Sequence, residues 1–202
     1  MKTLLLMSGG LDSTTLLYSL LNRNHDVECM AFDYGQTHIK ELLRAAEICE
    51  DLGVKLHRCR LPSIFTDCCL VGSKPIPHGQ HESNIVPNRN MVFLSAATAY
   101  AVQHSHFDAV AYGANLDDAE GGFPDCSKLF IQAMRDAMRF CHTKPIQLLA
   151  PFISTNMTKK DVAAMAYKLG VPIMRTWSCY KGGEKPCGTC GACQLRNKAL
   201  CR

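Results

Sequence analysis

Two groups of residues in this chain have types and spacings suited to chemistry. Ser8-Gly9-Gly10-Leu11-Asp12-Ser13 follow a short apolar run, Leu4-Leu5-Leu6-Met7, and lead into the helix-like stretch Thr14 to Asn22. A buried strand, a glycine-rich turn and a helix N-terminus in that order make a phosphate cradle. Glycine lets the backbone approach an anion closely, and the free N–H groups of the first helical turn point at it. No Gly-Lys-Ser/Thr closes the turn, so it is not a Walker A loop. The same residues also fit an ordinary strand–turn–helix capped by Asp12 or Ser13. Towards the other end, Cys179, Cys187, Cys190 and Cys193 read C-x7-C-x2-C-x2-C, with Gly182, Gly183, Gly188 and Gly191 among them. Four thiolates so spaced can close around one tetrahedral zinc, and the glycines permit the tight turns required. Lys181, Lys185 and Arg196 would offset part of the thiolate charge. A redox pair at Cys187 and Cys190 and an iron–sulfur cluster are the other readings. The redox C-x-x-C normally follows the first strand of a thioredoxin-like unit, which this position does not resemble.

The elements that must position these groups follow from the periodicity. Val27 to Tyr34, Lys55 to Leu61, Asp108 to Gly113 and Leu148 to Phe152 read as further strands. His38 to Leu52, Met91 to Gln103, Cys126 to Cys141 and Thr158 to Leu169 read as helices, two of them stopped by Gly53 and Gly170. Residues 62–85 and Leu116 to Pro124 read as loops, the first long enough to suggest a functional role. Repeated β-α units predict an α/β fold, a doubly wound parallel sheet with ligands at the carboxyl ends of its strands. The expected division is an α/β domain carrying the glycine-rich turn at 1–176 and a zinc-binding element of four cysteines at 177–202. A length of 202 residues with 47% hydrophobic content suits one globular core. The net charge of +4 neither demands nor excludes RNA. Twelve cysteines, eight of them scattered among mostly apolar neighbours, are too few for a small disulfide scaffold. With no signal-peptide layout and no apolar stretch of 18 residues, the expectation is a reduced, cytoplasmic protein.

Ser-Gly-Gly-x-Asp-Ser resembles the pyrophosphate loop of the ATP pyrophosphatases, which split ATP between its α- and β-phosphates to adenylate a substrate. Further segments are similar to one family. They are Phe32-Asp33-Tyr34-Gly35-Gln36, Val86-Pro87-Asn88-Arg89-Asn90, Gly113-Ala114-Asn115, Gly122-Phe123-Pro124-Asp125-Cys126, Trp177-Ser178-Cys179-Tyr180 and Gly183-Glu184-Lys185-Pro186-Cys187-Gly188. Together, and in this order along almost the whole chain, they resemble the 7-cyano-7-deazaguanine (preQ0) synthase family, QueC. The resemblance implies an adenine-nucleotide α-hydrolase-like (PP-loop ATPase) fold with a C-terminal zinc knuckle. It implies conversion of 7-carboxy-7-deazaguanine, ammonia and ATP into the nitrile through an amide, and usually a homodimer. The family commonly has alanine at the position of Asn88 and valine at that of Ala114. Residues 62–85 match it poorly, and little follows the last cysteine.

On this resemblance Ser8, Gly9, Gly10, Leu11, Asp12 and Ser13 hold the pyrophosphate, Asp12 helps to place Mg2+, and Lys159 matches a second phosphate-contacting lysine. Arg89 either makes a bidentate contact to phosphate or carboxylate or forms a structural salt bridge. Asp33 and Gln36, at the end of the second strand, lie where an adenine or deazapurine edge would bind. Asn115 and Asp125 sit where the guanine-like edge would be read, although Asp125 also fits a helix cap. Lys185 either reaches the anionic substrate or screens the thiolates. His38 is the one histidine beside these motifs. No membrane or nucleic-acid partner is expected. Rival readings are a related PP-loop enzyme of the tRNA thiolase or lysidine type, a relative attaching a deazapurine to DNA or protein, and a non-enzymatic zinc-knuckle module.

Overall fold

The strand β1 (Lys2–Leu6) sits at the centre of the sheet, and its alternation shows how both faces are covered. Leu4 and Leu6 point to one side, into a core shared with Leu94, Ala97 and Ile131, while Leu5 and Met7 point to the other, against Leu16, Leu17 and Ile48. A strand buried on both faces must read as a continuous apolar run, as this one does. In the computed structural model β1 pairs in parallel with β2 (Asp26–Asp33) and β4 (Ala109–Ala111). Outside these lie β3 (Leu56–Arg60) and β5 (Gln147–Leu149), giving the order β3-β2-β1-β4-β5. The structure describes all 202 residues except Pro62, Ser63, Asp67, Ser73, Gln80, His81 and Arg202.

Helices α1 (Leu11–Asn22), α2 (Lys40–Asp51), α3 (Arg89–Gln103), α4 (Leu116–Glu120), α5 (Lys128–Cys141), α6 (Pro151–Ser154), α7 (Lys159–Lys168) and α8 (Gly191–Leu200) complete the fold. The expected doubly wound α/β sheet is therefore present. Three boundaries differ in kind from the sequence reading. Residues 116–124 hold α4, whose capping box between Asn115 and Asp118 closes a short helix in a stretch without apolar periodicity. The fifth strand stops at Leu149, and Phe152 lies in α6, because Pro151 sits at a helical first position where its missing N–H costs nothing. Within the loop 62–85, Glu82–Asn84 forms a 3-10 turn, and His81 of that loop lies outside the described residues. No helix among the described residues is long and apolar enough to cross a membrane.

The chain steps from β1 outward through β2 to β3, then crosses back to β4 on the other flank of β1. Loops leaving the carboxyl ends of β1 and β4 consequently part in opposite directions and leave a crevice between them. The closeness of the first loop to its neighbours depends on Gly9, which has φ +74; a Cβ there would lie 2.4 Å from the Glu41 carbonyl oxygen and 2.6 Å from the Ala45 nitrogen. Both are backbone atoms of α2 that cannot swing aside. Gly53 has a similar φ of +63 but nothing within 4 Å of such a Cβ. Gly53→Ala should cost about 1 kcal/mol from backbone strain alone, whereas Gly9→Ala adds overpacking and should cost about 2–4 kcal/mol. Urea denaturation of the two variants measures the difference; equal losses would mean that the contact of Gly9 with α2 relaxes freely.

Candidate active site

The crevice opens into a cavity of about 620 Å³ lined by Ser8, Gly10, Asp12, Ser13, Arg89 and Lys159, among others. Within the loop, Ser8 and Ser13 hold each other: their Oγ atoms are 3.0 Å apart, and the Ser8 backbone N–H donates to Ser13 Oγ at 3.2 Å. The Gly10 N–H donates to Ser8 Oγ at 3.3 Å. Gly10, the residue before α1, has extended φ/ψ and no side-chain cap, so neither Asp12 nor Ser13 caps this helix. Leu11 turns its wholly buried side chain into a small core with Ala163, Ala166 and Val171, and can offer the cavity only its backbone.

Asp12 points across the crevice. Its Oδ2 accepts from Lys159 Nζ, and its Oδ1 accepts from Asn115 Nδ2 at 3.3 Å. Lys159 starts α7, whose capping box between Thr158 and Asp161 fixes where the first turn begins, and its own backbone N–H donates to Asp117 Oδ2. Burial alone would lower the Lys159 pKa, but Asp12 and Asp118 outweigh it and hold the ammonium above its ordinary range. Asp118, also cavity-lining, is pushed up to about 6, mainly by burial, with Lys159 opposing and the Asp12 charge adding to the rise. Asn115 is completely buried and accepts from the Asp118 backbone N–H while donating to Asp118 Oδ2 at 2.7 Å.

Arg89 enters from α3. The residue before it, Asn88, is left-handed at φ +54, a conformation that asparagine tolerates better than alanine. The departure at Asn88 from the usual family residue thus has a local physical fit. Arg89 Nη1 donates to the Tyr34 hydroxyl at 3.3 Å, and its guanidinium stands 6.0 Å from the centre of the Phe93 ring. Among the described residues it makes no salt bridge with a carboxylate, so its fork faces the cavity without a fixed anion. Burial raises the Tyr34 hydroxyl to about 12, so it stays protonated.

Other residues singled out in the sequence lie further from the opening. Gln36 is buried; its Oε1 accepts from the Tyr34 N–H at 2.9 Å, and its Nε2 donates to the Phe32 carbonyl at 3.0 Å and to Glu41 Oε1 at 3.1 Å. These bonds tie the turn after β2 to α2. Asp33 accepts from the Gly35 N–H at 3.3 Å, and Asp125 Oδ2 accepts from the Asn90 N–H at 3.2 Å. Lys185 is exposed on the cysteine segment. Conversely, Asp117, Asp118 and Glu41 line the cavity without having been expected. The Asn115-x-x-Asp118 capping signature was the available signal for one of them.

Cys179, Cys187, Cys190 and Cys193 offer sulfur atoms all within 4.8 Å of one another, a set that could hold a metal ion. Tetrahedral coordination at Zn–S of about 2.3 Å requires sulfurs about 3.8 Å apart, so the cluster fits with little adjustment. Backbone N–H groups of Thr189 and Cys190 donate to Cys187 Sγ, each at 3.4 Å, and that of Cys187 to Cys179 Sγ at 3.4 Å. Burial opposes ionisation of Cys187, yet these donors and the Thr189 hydroxyl bring it down to about 6, favouring the thiolate a metal requires. The segment is fastened to the phosphate-type loop: the Trp177 N–H donates to the Gly9 carbonyl at 2.9 Å.

Asn115 is the joint between these groups, so Asn115→Ala should remove the cap of α4 and one partner of Asp12 together. A loss of about 1–2 kcal/mol is expected for the cap. Chemical denaturation checks it, and a change under about 0.3 kcal/mol would show that α4 holds without the box.

The family described as "Queuosine biosynthesis protein QueC" matches residues 2–202. The 7-cyano-7-deazaguanine synthase of Caldicellulosiruptor saccharolyticus is 40% identical over 209 residues, covering 99% of this chain and 91% of that one. That of Archaeoglobus fulgidus is 38% identical over 99% of this chain and 86% of its own. Among solved structures, the U34-tRNA thiolase NcsA from Methanococcus maripaludis, determined with its 4Fe-4S cluster, is similar with a TM-score of 0.57 at 17% identity, over 99% of this chain and 63% of that one. The NMN synthetase of Francisella tularensis follows at 0.53 and 14%, over 90% and 68%. These two likenesses concern the fold alone. By its match over nearly every residue, and by the agreement of its loop, sheet and cysteine cluster, this chain belongs to the QueC family of queuosine biosynthesis proteins.

Proposed function

We propose that this protein converts 7-carboxy-7-deazaguanine and ammonia into 7-cyano-7-deazaguanine at the expense of ATP, through an acyl adenylate and then an amide. The observation that carries this reading is the meeting of Asp12 and Lys159 at the loop Ser8–Ser13 in one cavity with Arg89. Its relatives at 38–40% identity bear the name of that synthase.

A carboxylate resists ammonia because its carbon is a poor electrophile and oxide a poor leaving group. Adenylation replaces oxide by AMP, and a second adenylation, of the amide oxygen, permits dehydration to the nitrile. The protein's work is charge neutralisation and alignment at the phosphates. Backbone N–H groups of Gly9 to Ser13 would hold the pyrophosphate at the start of α1. Lys159 would exchange part of its bond to Asp12 for a phosphate oxygen, and Arg89 would take the anionic carboxylate or the α-phosphate. Asp12, with Asp117 and Asp118 beside it, would hold Mg2+, since the three carboxylates line one part of the cavity. When bound, the ion would draw charge from the phosphate oxygens. The four cysteines would hold one structural zinc, since all four positions are filled by protein and no open site remains.

Incubation with ATP, ammonium and the carboxylic acid should yield AMP and the nitrile, both detectable by mass spectrometry. Asp12→Ala and Lys159→Ala should each lower AMP formation at least 100-fold, about the scale of a lost transition-state donor. Turnover retained in both variants would sink the assignment. Elemental analysis should find one zinc per chain, and acidification should release it and loosen the C-terminal segment, because binding needs deprotonated thiols. Iron in place of zinc would overturn the structural-zinc reading.

A further inference from the structure

We propose that the Tyr180 hydroxyl contacts the reacting group in both rounds of the reaction: it donates to the carboxylate of the acid in the first and accepts from the NH2 of the amide in the second. This deepens the synthase reading and rests on it. Tyr180 lines the same cavity as Arg89 and the loop Ser8–Ser13. Every other hydroxyl in that wall is engaged by the protein. Ser8 and Ser13 hold each other, Tyr34 accepts from Arg89 Nη1, Tyr112 meets Cys126 Sγ at 3.2 Å, and Ser178 accepts from Arg196 Nη1 at 3.3 Å. Within this wall the Tyr180 hydroxyl is the one with no hydrogen-bond partner among the described residues. Nor is it sealed in, since the buried side-chain atoms without a partner are Thr14 Oγ1, His38 Nδ1 and His142 Nε2.

The surroundings leave this ring little freedom. Cys179 of the four-cysteine cluster precedes it in the chain. The Tyr180 backbone N–H bonds Cys190 Sγ, and the Tyr180 carbonyl accepts from Thr37 Oγ1 at 3.5 Å. The ring packs against Trp177 and the buried cysteines, and stands 5.8 Å from the centre of the His38 ring. A side chain already held in place costs little to order when a ligand arrives. Burial opposes the charge of Arg89, and Tyr34, Tyr180 and Glu41 are the groups near enough to support it. Arg89 and Tyr180 therefore bear on one part of the cavity.

The reaction places two different groups in turn on one carbon. A carboxylate has two equivalent oxygens, accepts only, and carries a charge that Arg89 can meet. The amide that follows is neutral and has one oxygen and one NH2. Arg89 donates only, so it takes the amide oxygen, the atom to be adenylated, and the nitrogen then needs an acceptor. A carboxylate in that place would suit the amide but repel the acid. A phenolic hydroxyl, protonated at neutral pH, turns from donor to acceptor without gaining or losing a proton. Tyr180 thus serves both rounds. The second depends on it more, because the acid keeps its charged contact with Arg89 when the hydroxyl is gone.

The test supplies the acid and the amide as separate substrates, with ATP in both cases and ammonium added to the acid. Tyr180→Phe removes the hydroxyl and nothing else. Its melting temperature should stay within about 1 °C of wild type and its metal content should match, because the oxygen touches no protein group. The kcat/KM for converting amide to nitrile should fall at least about tenfold, since the NH2 loses its acceptor, while that for forming amide from acid falls less than about threefold. Amide should consequently accumulate during turnover of the acid, where the wild type carries it on to the nitrile; mass spectrometry reads the ratio of the two. A loss on the acid as large as on the amide, or no loss on the amide, would overturn the Tyr180 assignment alone. So would lost metal or a melting temperature lowered by more than about 3 °C, since the hydroxyl would then be held by protein. No AMP from the wild-type protein with either substrate would overturn the synthase reading and this one with it.

Discussion

The ion pair between Asp12 and Lys159 is the constraint on which the site depends. It joins the first loop of the chain to a helix that begins 147 residues later, and both charges are largely out of water, with side chains 20% and 10% exposed. A pair in such a setting gains little net stability, because desolvation offsets much of the attraction. Its value is positional. Lys159 is the first residue of α7, held there by the Thr158–Asp161 box, and α7 packs through Val162 into the core under α1. The lysine therefore reaches the loop from a rigid element and stands paired with Asp12 in the wall of the cavity.

The same loop is buttressed from behind by the cysteine segment. Lys40, on α2, donates to the carbonyls of Gly183 and Glu184 at 2.8 and 2.9 Å and stands 4.8 Å from the centre of the Trp177 ring. Gly182, at φ +62, passes so close to the turn before α2 that a Cβ would lie 2.9 Å from the Thr37 carbonyl. Arg196 of α8 donates to Thr176 Oγ1 at 2.7 Å and to the Ile173 carbonyl at 2.6 Å. A short segment with few apolar residues of its own cannot hold such contacts by packing alone. A metal crosslinking Cys179 to Cys193 would give it the rigidity those contacts need.

What could be read in the sequence was whatever depends on near neighbours. The run Leu4–Met7 before two glycines announces a buried strand entering an anion-type turn, and the cysteine spacing announces its own closure. Asp12 and Lys159 were legible only through resemblance to a family, because nothing local says that residues so far apart meet. Gln36 illustrates the opposite limit. Its place at the end of β2 suggested a ligand-facing side chain, yet the turn's own N–H and carbonyl groups needed partners once buried, and its amide meets them. Glu41 was hidden for a related reason: on an amphipathic helix a glutamate reads as solvated, and only the packing of α2 against Gly9 takes it out of water.

The distribution of charge within the cavity gives these separate features one physical sense. Lys159 is already matched by Asp12, whereas Arg89 has hydroxyl and aromatic neighbours but no carboxylate in ion-pair contact among the described residues, and Glu41 has only neutral ones. Arg89 and Glu41 still act on each other across this space: the guanidinium opposes the rise that burial imposes on the Glu41 pKa, and Glu41 helps to hold Arg89 charged. Arg89 donates to the Tyr34 hydroxyl, and Gln36 donates to the Glu41 carboxylate. The Arg89 and Glu41 side chains line the same cavity. The guanidinium of Arg89 is thus left open towards this space, whereas Lys159 is already engaged by Asp12.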